Sequence, residues 1–285
     1  MPTFSKASQG LEGVPVWTFT TIKNMQEAIS SYREKVEASE ASPYLIFRLV
    51  TTDDLLKIER ARENGKIGRG VRMTHYVDWN ILILKVSMAK HERSHRKFSQ
   101  KLTIRAAMMG LEDEFDDIGG TKFKTPRVSK EGDSAFKPLS TRPRDADWPT
   151  IVFQAGWSES LRKLRLDADF WLKDSGGDVK IVLLFLIGRR ARKIIIEKWE
   201  NRPISANRPA TRLITRAAGN AQTATQIQGI TIDSDSNSNT VNGAPLTLEF
   251  RKIFLRQAVP PLEHDFTFTA QDLSVFATNF WGGLQ

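Results

Sequence analysis

The run IVLLFLI at 181–187 contains no polar residue. A strand of that composition cannot leave one face in water, so it must lie inside a sheet that is covered on both sides. Just before it come a strand-like run at 149–155 and a helical segment from Ser158 to about Lys173. In that segment Leu161, Leu164, Ala168, Trp171 and Leu172 recur at helical spacing. Ser175-Gly176-Gly177 closes the helix. A short basic turn at 188–191 then leads into KIIIEKW, so that 179–199 reads as a hairpin whose first strand is fully buried.

Upstream, residues 14–86 mix strand-like runs (VPVWTFTTI, YLIFRLV, WNILILKV) with a helix near 24–38. Residues 88–109 have helix-forming composition, with apolar positions at Met88, Phe98, Leu102, Ile104 and Ala106, and Gly110 as a stop. The stretch 112–138, punctuated by Gly119-Gly120, is hairpin-like. Residues 201–244 read as a polar, basic, low-complexity segment that ends in DSDSNSNTVNG. Order returns with PLTLEFRKIFL and a short helix around 270–280. The expected architecture is a mixed α/β domain. Its parts are N-terminal strands and a helix at 1–86, a core at 87–200, the polar segment at 201–244, and a C-terminal strand and helix at 245–285.

The chain carries 42 Lys plus Arg against 33 Asp plus Glu, a net charge of +9. That balance points to a polyanionic partner, DNA or RNA before an acidic membrane surface. There is no cysteine, which excludes disulfides, thiolate metal sites and cysteine nucleophiles. The first residues lack the apolar core of a secretion signal, and the longest apolar run is too short for a bilayer span. The expectation is an intracellular protein, nuclear or cytoplasmic. Between Gly188 and Arg216 nine basic residues face two acidic ones.

Two short motifs suggest chemistry and have plainer readings. HERSH at 91–95 matches the zinc-protease spacing, with His91 and His95 as ligands and Glu92 as base. Yet Arg93, Arg96 and Lys97 crowd it with positive charge, and only His75 and His264 remain as a third histidine. A solvated basic helix face accounts for it as well. GWSES at 156–160 resembles a hydrolase nucleophile turn between strand and helix. Its last position is Ser160 rather than glycine, and His264 would have to serve as base. Ser158 as a helix cap with Glu159 beside it suffices.

The segments HERSHRKFSQKL, KEGDSAFKP, WPTIVFQAGWSESLRKLRLDADFWL and VKIVLLFLI…KIIIEKWE together resemble a fungal protein family that is similar to the PD-(D/E)xK restriction-endonuclease-like superfamily. The likeness covers roughly residues 75–200 and, more loosely, the N-terminal strands and LTLEFRKIFLR. It implies an αβββαβ core in which an Asp and a Glu on neighbouring strands hold Mg2+ or Mn2+ for phosphodiester hydrolysis. The resemblance puts the Asp at Asp133 and the metal-binding Glu at Gln154, with Glu92 assisting from the first helix. The lysine that serves the attacking water would fall at Asp167. This sequence therefore departs twice from the pattern. Lys163 lies one helical turn before Asp167 and can reach the same space, with Arg165 a weaker candidate. Alternatively Asp167 itself joins the metal site and replaces the charge missing at Gln154. The candidate catalytic set is Glu92, Asp133, Gln154, Lys163 and Asp167, and the metal set is Asp133, Gln154 and Glu92. Phosphate contacts are expected from Arg93, Arg96, Lys97 and Lys101, and from Arg189, Arg190 and Arg192. The expected function is a nucleic-acid-associated protein of nuclease fold, active or catalytically impaired. The alternative is a protein-interaction module that reuses the fold, with a partner docked on 201–244.

Overall fold

The computed structural model describes residues 7–38, 41–68, 70–86, 89–157, 161–188, 191–203, 222–235 and 238–283. Two sheets carry the fold. The second, of seven strands, holds the apolar run that opened the sequence reading. Its strands, in spatial order, are β13 (Asn239–Asn242), β12 (Gln222–Ser234), β11 (Lys193–Pro203), β10 (Ile181–Gly188), β9 (Ile151–Trp157), β8 (Ser134–Pro138) and β5 (Phe115–Asp117). β10 runs parallel to β9, and β8 and β11 run antiparallel to their neighbours.

Helix α3 (Ala89–Met108) precedes β5, and helix α4 (Leu161–Asp174) crosses from β9 to β10. The series α3-β5-β8-β9-α4-β10 is an αβββαβ core, the fold class expected of a restriction-endonuclease-like protein. Period-two alternation along β9 sorts its side chains between the two covering layers. Ile151, Phe153 and Ala155 join Phe98, Leu102 and Ala106 of α3. Val152 joins Leu164, Ala168, Trp171 and Leu172 of α4. Burying each such large side chain contributes about 1.5–3 kcal/mol. Gln154 follows Val152 on the α4 side, where its neighbours include Gly132.

The first sheet has the order β1 (Val16–Thr18), β2 (Tyr44–Arg48), β4 (Ile81–Val86), β3 (Val71–Tyr76), β7 (Val128–Glu131) and β6 (Lys122–Lys124). Helices α1 (Ile22–Glu37) and α2 (Thr52–Glu63) cover one face, packing Ile29, Tyr32, Leu55 and Ile58 on Leu45, Phe47, Leu82 and Leu84. The opposite face carries Tyr44, Ile46, Ile81 and Ile83. Lys85 continues that face and reaches the second sheet. The C-terminal pair β14 (Leu246–Leu248) and β15 (Phe266–Phe268), the short helix α5 (Phe250–Phe254) and helix α6 (Ala270–Gly282) pack on the α3 side of the core. There Phe98 lies 4.6 Å from Phe268 and 5.7 Å from Phe276.

Three sequence expectations are corrected. The boundary at 86/87 is crossed by the first sheet, which takes β6 and β7 from the stretch expected to be a local hairpin of the core. Residues 222–234 and 239–242 are strands and not loop. TATQIQGITID alternates well enough for Ile230 and Ile232 to be buried, and β12 pairs with β11 over eleven residues; residues 204–221 lie outside those described. Residues 52–63 form a helix, closed at its start by a capping box between Thr51 and Asp54 that the strand-rich reading passed over. Among the described residues no helix is long and apolar enough to cross a membrane.

Candidate functional site

β7 belongs to the first sheet and β8 to the second, and the chain passes between them at Gly132-Asp133. A side chain at Gly132 would come into van der Waals contact with Val152 at 3.4 Å and Trp171 at 3.6 Å, so the passage runs against β9 and α4. It sets Asp133 between the two sheets, 5% exposed. One carboxylate oxygen, Oδ2, accepts from the Lys85 ammonium at 2.8 Å and from the Ala155 N–H at 2.7 Å. Lys85 Nζ also donates to the Ala155 carbonyl oxygen at 2.5 Å. Burial alone would raise the Asp133 carboxyl, but the Lys85 ammonium and the Ala155 N–H outweigh it and hold the group well below the usual carboxylate range.

Beside this pair, His95 Nδ1 and the Ser134 hydroxyl share a 2.7 Å hydrogen bond. Burial pulls the imidazole from 6.5 down to about 4, so it is neutral at pH 7. The unfolded chain takes up this proton near pH 6.5 and the folded chain only near 4. Stability is therefore present above pH 6.5 and is lost as pH falls toward 4, by about 3 kcal/mol in all. Urea melts between pH 7 and 4 should show that loss, and His95→Gln should flatten it.

A second buried cluster lies on the α4 side. Asp167 Oδ1 accepts from Lys130 of β7 at 2.6 Å and from Lys163, its neighbour one turn earlier. Lys130 also reaches Thr74 Oγ1 at 3.4 Å, and Lys163 lies 5.8 Å from the Tyr44 ring centroid. Burial would raise the Asp167 carboxyl, and the two ammonium groups hold it low. Burial lowers Lys130 to about 8, a shift that Asp167 opposes and Lys163 adds to.

The structure thus brings Lys163 and Asp167 together, and leaves Asp133 in a separate ion pair. Gln154 is 3% exposed, and its amide Nε2 has no hydrogen-bond partner among the described residues. Glu92 is bound by Arg96 at 2.7 Å and faces Arg72 at 4.0 Å. Arg165 is spent on Glu197, with contacts of 2.6 and 3.1 Å. Arg192 lies 5.5 Å from the Trp281 ring, and Arg189 and Arg190 are outside the described residues.

The superfamily pattern calls for a divalent metal, and the residues present do not fit one. Asp133 is occupied by an ammonium, Gln154 is neutral, and Glu92 is held by arginines. Among the described residues no group of three or more His, Asp or Glu could hold a metal ion. The protease motif fares no better, since His95 is committed to Ser134 and the His91 side chain lies outside the described residues. Ser158–Ser160 lie outside them too, and His264 Nδ1 is hydrogen-bonded to the neighbouring Asp265 carbonyl.

Sequence reasoning missed Lys85 and Ser134 beside Asp133 and His95, and Lys130 beside Asp167. Lys85 did leave a signal, because it interrupts the otherwise apolar strand ILILKV at the position following Ile81 and Ile83 on one face. A cleft of roughly 580 Å³ opens onto this neighbourhood, lined by Arg72, His95, Arg96, Ser99, Asp117 and Asp133, among others. Arg72 Nε and Ser99 Oγ, both buried, have no partner among the described residues.

No family model and no curated protein matches the chain. Among solved structures it is similar to a crystal structure from Anabaena variabilis titled as that of a "putative nuclease belonging to DUF820". The two share 12% identity with a TM-score of 0.38, and the match covers 72% of this chain and 90% of that one.

Proposed function

We propose that this protein is a nucleic-acid-binding member of the nuclease-fold class that grips the phosphate backbone through helix α3. The observation that carries the reading is a stripe on that helix. Arg93, Lys97 and Lys101 recur every four residues, partly exposed, and none has a carboxylate partner among the described residues. Four residues of helix rise about 6 Å, so the three positions follow one side of the helix, with the Arg93 guanidinium lying against Gly283 at the end of α6. The net charge of +9 supports a polyanionic partner. The unpartnered donors of Arg72 and Ser99 line a cleft on another side of α3 and suit an anion as well.

Contacts of this type fix position on the backbone and carry no sequence preference. Fluorescence anisotropy with a labelled oligonucleotide tests the proposal. Affinity should fall with salt on a log–log slope of roughly −2 to −4, and Arg93→Ala/Lys97→Ala/Lys101→Ala should reduce that slope by about 2. No retention at low ionic strength would instead favour the protein-interaction module, and retention that ignores the triple substitution would remove the α3 stripe from the proposal.

A further inference from the structure

A hard divalent cation is held by oxygen atoms, and two buried oxygens are available beside Gln154: Asp133 Oδ2 and the carbonyl oxygen of Ala155. Both contact a single group, Lys85 Nζ, at 2.8 and 2.5 Å. We propose that the Lys85 ammonium is the resident cation of this site, covalently attached in place of a divalent metal, and that the chain binds no metal at Asp133. The proposal rests on reading the core as a nuclease fold, and not on the α3 stripe.

The charges agree with it. One carboxylate faces one ammonium, and the neighbouring strand position holds a neutral amide at Gln154 where a second carboxylate would be needed for a divalent ion. That amide has no hydrogen-bond partner for its nitrogen among the described residues, so the position supplies no second charge. Of the other carboxylates near the two clusters, Glu92 is matched by Arg96 and Asp167 by Lys130 and Lys163, while Asp117, which lines the same cleft as Asp133, has no cationic partner among the described residues. Lys85 is also a costly choice for a strand position with apolar neighbours, because a buried ammonium must find partners. Its contacts include one full charge, Asp133, and one carbonyl dipole, that of Ala155. Unlike a metal ion, an ammonium has no open coordination position for a water or a phosphate oxygen, so this centre cannot activate water as a metal would. A covalently attached cation also cannot be chelated or exchanged.

Mn2+ titration of the full chain, read by calorimetry and by the electron paramagnetic resonance of free Mn2+, tests this. Wild type should show no saturable binding that depends on Asp133, up to concentrations on the order of 5 mM. Lys85→Ala/Gln154→Glu should bind one Mn2+ and gain thermal stability when it is added. Adding Asp133→Asn to that pair should weaken the binding at least about tenfold. Saturable binding by wild type that Asp133→Asn abolishes would overturn the proposal, as would a folded double variant that binds nothing. If the double variant fails to fold by circular dichroism, the wild-type and Asp133→Asn titrations still decide. Oligonucleotide retention measured in chelator reports separately on the α3 stripe, so the two readings can fail independently.

Discussion

Asp167→Ala is expected to lower the free energy of unfolding by about 3–5 kcal/mol, the range for breaking a buried ion pair from one side. Asp167 Oδ1 is the shared acceptor of Lys130 and Lys163, so its removal leaves two ammonium groups facing each other in a desolvated pocket. Equilibrium urea melts measure the loss, and a change below about 1 kcal/mol would show that the cluster is not a source of stability. The pH dependence adds a second test. Burial already lowers Lys130 to about 8, below the ordinary lysine value of 10.5. For a lysine shifted down in the fold, the destabilisation is fully present below the folded value and is relieved as pH rises toward 10.5. Wild type should therefore gain stability between about pH 8 and 10.5. The variant, with its counter-charge gone, should begin to recover at lower pH.

Asp133→Ala should cost a similar 3–5 kcal/mol for a related reason. It strips the Lys85 ammonium of its charge partner, leaving the Ala155 carbonyl, and it orphans the Ala155 N–H in the middle of β9. The diagnostic comparison is Lys85→Met/Asp133→Leu. Replacing both ends of a buried pair by apolar groups of similar size is often neutral, so the double variant should melt much closer to wild type than Asp133→Ala does. If the single and double variants are equally unstable, the loss comes from packing at the passage between the sheets and not from the uncompensated ammonium.

Much of the fold was legible because local pattern and burial agree. IVLLFLI had to be an internal strand, and β10 lies between β9 and β11 with α4 on one side and the α3 layer on the other. Helices α3 and α4 followed from apolar spacing, and Gly110, Gly176 and Gly177 take the positive φ values expected at their ends. What could not be read was which sheet each strand of 112–138 would join. VSKE and SAFKP are separated by two residues, and nothing local says that the chain changes sheets between them. The second loss was β12, where Gln, Thr and Gly dilute the alternation until only Ile230 and Ile232 mark the buried face. At the site, Asp133, Gln154, Lys163 and Asp167 were singled out, all four are buried, and Lys163 does reach Asp167. Their partners were illegible. Lys85 lies 48 residues from Asp133 and Lys130 lies 37 from Asp167, and only the packing of one sheet on the other joins them. A lysine in a strand looks like an edge or a solvated position until the face it points to is known.

The passage from β7 through Gly132 and Asp133 into β8 makes the two sheets inseparable at the level of the polypeptide. β7 owes its pairing partner to β3, far back in the chain, while β8 owes its own to β9. A fragment cut at residue 86 would therefore not be a minimal core. It would carry β6 and β7 with an open edge where β3 had been, the sort of edge that seeks another chain to pair with. It would also hold an aspartate stripped of its lysine. The smallest unit that can stand alone is set by where the strands cross, and here that unit includes the N-terminal sheet.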